Sequence, residues 1–137
     1  MYLLDTNVLS EPRRPERADA NVAGWAARAP AATFWISVIS ILEIEMGVLR
    51  IERRDPAQGA QLRKWFEGQV LRSFESRILP VDVAVARRSA GLHVPNPRSD
   101  RDALIAATAL VHGLTVVTRN IGEFEATGAP LINPWRP

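Results

Sequence analysis

Four acidic residues fall where an α/β chain delivers side chains to a common crevice. Asp5 ends the apolar run Met1-Tyr2-Leu3-Leu4, Glu43 sits in Ser40-Ile41-Leu42-Glu43, Asp102 opens a strongly apolar segment, and Glu123 follows Leu114-Thr115-Val116-Val117-Thr118. In a parallel α/β sheet, ligands bind in the crevice beyond the carboxyl ends of the strands. Four carboxylates brought there repel one another unless a hard divalent cation neutralises them, and such a cation also supports phosphodiester chemistry.

Each acid has a plainer reading. Asp5 can cap the helix after its strand, although Thr6 and Asn7 could cap equally well. Ser40-Ile41-Leu42-Glu43 matches a capping box, so Glu43 alone reads first as a cap. Asp102 can simply complement a helix dipole, with Asp100 as the N-cap. Glu123 reads as a loop residue lifted only by its position after a strand. Glu45 lies about 200° round the helix from Glu43 and reads as solvated or ion-paired. His112 falls in a last helical turn, His93 lies in a loop without a partner, and the tryptophans at 25, 35, 65 and 135 read as core or interface anchors.

The elements that must position these groups alternate between strand and helix. Residues 2–5 read as a buried strand, followed by a brief helix from Thr6-Asn7 and a proline-bounded loop over 11–15. A short helix spans Val22 to Arg28, and Phe34 to Ser37 is β-prone. From Ser40 the apolar residues take helical spacing until Asp55-Pro56, after which a second helix runs through Leu62 and Trp65-Phe66 toward Phe74. Arg77 to Val81 reads as a strand and Asp82 opens a helix over Val83 to Gly91. Residues 92–99 form a loop, Asp102 to His112 a helix capped by Gly113, 114–118 a strand, and 131–133 the last strand. The pattern predicts an α/β class, with a mostly parallel central sheet covered on both faces.

Composition bounds the rest. A chain of 137 residues, 47% hydrophobic and 23% charged, is expected to form a single domain over 1–137. The absence of cysteine excludes disulfides, thiolate metal sites and cysteine nucleophiles. No targeting stretch or membrane-length apolar run is evident, and a cytoplasmic location is expected. The formal charge is only +2, yet the pI is about 9.9. All but one of the cations are arginines, which do not titrate in the alkaline range, so the pI overstates the basicity.

Taken together, Leu3-Leu4-Asp5-Thr6-Asn7, the segment from Ser40 to Gly47, Asp102 to Ala109 and Thr118 to Phe124 resemble, in order and spacing, the motifs of PIN-domain ribonucleases. The resemblance is strongest to the VapC/FitB-like toxins of type II toxin–antitoxin pairs, and it covers nearly the whole chain. It implies a three-layer α/β/α fold, a homodimer, a cognate antitoxin and metal-dependent hydrolysis of RNA by Mg²⁺ or Mn²⁺. Asp5, Glu43, Asp102 and Glu123 are then the catalytic acids, with Asp5 and Asp102 as direct metal ligands. Thr6, Asn7, Thr118 and Asn120 are the supporting polar residues. Glu123 departs from the family's usual Asp by one methylene. Arg119, followed by Arg98 and Arg101, is expected to hold the RNA backbone beside a pocket that otherwise repels it. Antitoxin docking is expected on apolar helix surface near Trp25 and Leu62–Phe66. Two other readings are weaker. A haloacid-dehalogenase-type phosphatase would need Asp where Asn7 stands. A non-catalytic partner- or nucleic-acid-binding module with a degenerate site has only Glu123 in its favour.

Overall fold

The computed structural model describes residues 1–137 and contains a five-stranded sheet in the order β3-β2-β1-β4-β5, every neighbouring pair parallel. The strands are β1 (Tyr2–Leu4), β2 (Phe34–Ser37), β3 (Ile78–Leu79), β4 (Thr115–Val117) and β5 (Leu131–Ile132). Between them lie α1 (Thr6–Ser10), α2 (Ala20–Ala27), α3 (Val38–Arg54), α4 (Pro56–Trp65), α5 (Val83–Leu92), α6 (Asp100–His112) and α7 (Ile121–Phe124).

The strands are short and apolar on both faces, as a sheet sandwiched between helices requires. Leu3 of β1 and Val116 of β4 belong to one apolar cluster, with Val85, Ile105 and Phe124 from α5, α6 and α7. Their neighbours Leu4 and Val117 point the other way, into a second cluster with Ile44, Val48 and Phe66. This period of two places a helical layer on each face. The chain winds from β1 outward to β2 and β3, then returns across to β4 and β5. The strand order therefore reverses at β1, and the crevice at that switch point is where an α/β sheet presents ligands.

Three local expectations are corrected. Helix α3 begins at Val38, not at Ser40, because Ser37 ends β2 and also caps the helix, its Oγ accepting from the Ile39 amide at 3.0 Å. Val38 and Ile39 are β-branched and read as strand, which hid the start. Helix α6 is capped by Ser99 and not by Asp100. Finally, the region 11–17 is not a plain loop but two 3₁₀ turns, Glu11–Arg13 and Pro15–Arg17, each with proline in its first turn.

Helices α3 and α4 form a hairpin around Asp55, which caps α4 by accepting from the Gln58 amide, with Pro56 at the first helical position. Arg63 ties the pair: it meets Glu52 through two nitrogens, at 3.0 and 3.2 Å, and Glu45 at 2.6 Å. Glu45 is thus ion-paired away from the crevice, as its helical angle predicts. Helix α4 passes directly into a π-helical turn, Phe66–Leu71.

Candidate active site

Asp5 leaves the end of β1, only 5% exposed, and holds two places at once. Its Oδ1 accepts from the Thr6 amide at 2.8 Å, capping α1, while Oδ2 accepts from the Thr118 hydroxyl at 2.8 Å and faces the Asn7 amide at 3.4 Å. Cap and site residue are therefore one side chain. Thr118 comes from the end of β4, the strand beside β1, and its Oγ1 accepts in turn from the Asn120 amide at 3.0 Å. Asn7 Oδ1 accepts from the Arg119 amide at 3.3 Å, binding the two strand ends a second time.

Glu43 reaches the same crevice from α3. Its Oε1 accepts from the Thr6 hydroxyl at 2.7 Å, and Thr6 Oγ1 lies 3.0 Å from Ser40 Oγ. A hydroxyl has one proton, so with Thr6 donating to Glu43, Ser40 donates to Thr6. Ser40 is completely buried and belongs to the support of the site, not to a helix cap. Sequence spacing assigned it to a cap because the true cap, Ser37, three residues earlier, was hidden by a strand-like pattern. Glu43 is likewise a second-turn residue and makes no capping box.

Asp102 stands in the first turn of α6. Burial raises its carboxyl above the ordinary value of 3.8, and the nearby charges of Asp5, Glu123 and Glu43 raise it further. Asp5 is also raised, mainly by burial; the Thr118 and Thr6 hydrogen bonds oppose that shift and Glu43 adds to it. These mutual effects show that the fold brings all four acids into one electrostatic neighbourhood. Glu123 is the outermost of them, exposed, and sits in the short helix α7 instead of in a loop.

The cations divide. Arg101 approaches Glu43 Oε2 at 3.7 Å, so it faces the acids. Arg98 donates from Nε to the Leu92 carbonyl at 2.7 Å, pinning it to the end of α5. Arg119 is exposed, with its guanidinium 5.2 Å from the centre of the Trp135 ring. His93, without a partner in the sequence, accepts from the Arg98 amide through Nδ1 at 3.3 Å.

The donor set suits a hard cation. All the candidate ligands are carboxylate oxygens, the partners of Asp5 are neutral, and neither Asp5 nor Asp102 has an ion-pair partner. Buried negative charge without compensation is costly, and a divalent ion removes that cost. No three of the acids converge closely enough to enclose an ion alone. An ion here would keep part of its water shell, as Mg²⁺ commonly does. Such a centre can activate water and neutralise charge on a phosphodiester.

Because this support is second-hand, its loss is measurable. Thr118→Val removes the hydroxyl that holds Asp5 Oδ2 while keeping the side-chain volume. It is expected to lower metal affinity or turnover by roughly 10- to 100-fold, with a folded protein by circular dichroism. Metal titration and turnover assays check it, and parental values in both would remove the role.

The fold and the site together define an α/β/α protein with a carboxylate centre at the switch point of its sheet. The chain belongs to the PIN-domain family, whose model matches residues 2–129. It is 36% identical to the VapC ribonuclease Y4jK of Sinorhizobium fredii, over 100% of this chain and 99% of that protein. It is also 36% identical to toxin FitB of Neisseria gonorrhoeae, over 98% and 99% of the two chains. The crystal structure of FitAcB from Neisseria gonorrhoeae superimposes with a TM-score of 0.91 at 34% identity, covering 100% of both chains. The expected fold is therefore borne out.

Proposed function

We propose that this protein is a metal-dependent endoribonuclease, the toxin of a toxin–antitoxin pair. The observation that carries the reading is the placing of Asp5, Glu43 and Asp102 around one crevice, on a scaffold similar throughout to a named ribonuclease and a named toxin. In this reading, residues 1–137 act as one domain in the cytoplasm, where RNA and the antitoxin are found, and as a homodimer. No helix is long and apolar enough to cross a membrane.

Asp5 and Asp102 are assigned as the direct ligands of Mg²⁺ or Mn²⁺, with Glu43 and Glu123 acting partly through water. When bound, the ion lowers the pKa of water and offsets charge developing on the phosphate. The chain's own residues do the rest. Thr118 and Thr6 orient Asp5 and oppose the upward shift of its carboxyl, and Thr6 couples it to Glu43 by giving its amide to Asp5 and its hydroxyl to Glu43. Arg101, 3.7 Å from Glu43 Oε2, offers a guanidinium to an incoming phosphate. Asn120 supports Thr118 through its amide, leaving its side chain free to orient water.

The cognate antitoxin is assigned to an apolar groove of about 280 Å³ between α1, α2 and the α4–π turn, lined by Val8, Leu9, Val22, Trp25, Trp65 and Phe74. Of the surface the apolar spacing indicated, Trp25 and Trp65 line this groove, whereas Leu62 and the buried Phe66 do not. Crosslinks mapping to another face would remove the assignment.

Purified, antitoxin-free protein is expected to cut total cellular RNA with Mg²⁺ or Mn²⁺, and to lose that activity in EDTA. Cleavage that survives EDTA would overturn the metal reading. A folded protein that binds neither ion and cuts no RNA would favour the binding-module alternative.

A further inference from the structure

A second cleft, of about 570 Å³, opens beside the acids between the β4–α7 turn and the tail after β5. Its walls carry Arg119, Asn120, Glu123, Asn133, Trp135 and Arg136. It is continuous with the site already described: Glu123 belongs to both, and the Arg119 and Asn120 amides bond to Asn7 and Thr118.

We infer that this cleft is a subsite for one unpaired nucleotide of the RNA, flanking the phosphate that is cut. The inference rests on the ribonuclease reading above and adds to it a positioning role for Trp135 and Arg136. Trp135 was expected to be only a core or interface anchor. One side does pack against the second apolar cluster, but the ring also carries the Arg119 guanidinium at 5.2 Å. Unpaired bases stack on indole rings and on guanidinium planes, and this pair offers both in one place. The tail that presents it is anchored: Asn21 Nδ2 donates to the Trp135 carbonyl at 3.0 Å, and the Trp135 amide donates to Asn133 Oδ1 at 3.0 Å. Neither Arg119 nor Arg136 has an ion-pair partner, so both are free for phosphate, unlike Arg101 and Arg98. The side-chain amides of Asn120 and Asn133 supply donors and acceptors for a base edge. An acidic centre needs such a neighbour, because it repels the backbone it must cut. A duplex would keep its bases inside the helix, so the cleft selects single-stranded RNA.

The test is binding of fluorescein-labelled single-stranded RNA of mixed sequence to the 137-residue chain, followed by anisotropy in EDTA over a salt series. Trp135→Leu is expected to weaken binding roughly 10-fold with an unchanged salt slope, and Trp135→Phe to restore most of it. Arg136→Gln is expected to lower the slope by about 0.7, the value of one single-strand phosphate contact. A folded Trp135→Leu that binds like the parent overturns the subsite, as does a parent with no affinity for single strands. If Trp135→Leu does not fold, parental slopes in both Arg119→Gln and Arg136→Gln overturn it instead. Cleavage is read separately after adding Mg²⁺. Binding that depends on Trp135 without any cleavage supports the subsite and defeats the nuclease chemistry. Cleavage with parental binding in every variant does the reverse.

Discussion

Asp102→Asn is expected to abolish RNA cleavage and, in the same molecule, to raise the melting temperature of the metal-free protein. The two effects share one cause. Asp102 is placed where burial and three other carboxylates oppose its charge, and its carboxyl is raised above 3.8. A raised acid binds more protons in the folded state than in the unfolded one, so folding stability falls as pH rises through that window. At neutral pH the ionised side chain is a liability that the amide does not share. In the metal-dependent reading proposed above, losing Asp102 as a ligand forfeits several kcal/mol of transition-state stabilisation, roughly a 10³-fold loss of turnover. Thermal melts in EDTA from the ordinary carboxyl value of 3.8 up to pH 7.5, beside a cleavage assay, test both halves. The parent is expected to lose stability between those pH values by more than the variant does. A variant less stable than the parent at pH 7.5 would sink the account. Saturating Mg²⁺ should stabilise the parent by about 2.7 kcal/mol at a hundred times its Kd, and the variant far less.

Gly59→Ala is expected to destabilise the fold by about 1–3 kcal/mol. Two opposing effects decide the sign. Alanine is the better helix former by about 1 kcal/mol in a helix interior, which favours the variant. However, a Cβ at Gly59 would run into Glu52 Cα and lie 2.8 Å from Glu52 N, backbone atoms of the facing helix. Backbone cannot rotate away, so α3 and α4 must separate, straining the Arg63 clasp between them. Overpacking outweighs propensity. Urea denaturation checks the figure, and a variant as stable as the parent would show that the hairpin can open without cost. Because Trp65 lines the apolar groove from the end of α4, the same substitution is expected to weaken antitoxin capture.

Much of this architecture was legible in the chain because strand and helix periods alternate cleanly. The β1 and β4 runs are rich in apolar and β-branched residues, and the helix from Asp102 ends on Gly113, which takes φ of 67° as a left-handed cap should. The positions of Asp5, Thr118 and Asp102 follow from strand ends and a helix start. What sequence could not give was connection between distant segments. That Thr6 bridges Asp5's segment to Glu43 depends on a contact 37 residues away. The start of α3 was hidden because β-branched Val38 and Ile39 carry a strand signal into a helix. Ser40 and Glu43 consequently looked like a cap, a local motif satisfied by residue types but not by the backbone. Arg98 and Arg101 were alike in sequence and differ in space: one is held by a carbonyl, the other by a carboxylate. The cleft around Trp135 had no periodicity to announce it, since it is built from a turn and a tail.

The central place of β1 governs when the crevice can assemble during synthesis. Its first strand is made at once, yet the partner that completes the crevice, β4, begins at Thr115. A nascent chain shorter than that carries Asp5 and Glu43 but neither Thr118 nor a second parallel neighbour for Asp5 to lean on. Pairing segments so far apart in sequence is also slow, since loop closure must precede the contacts that reward it. The crevice around Asp5 is thus complete only after Thr118 has been made, late in the 137 residues.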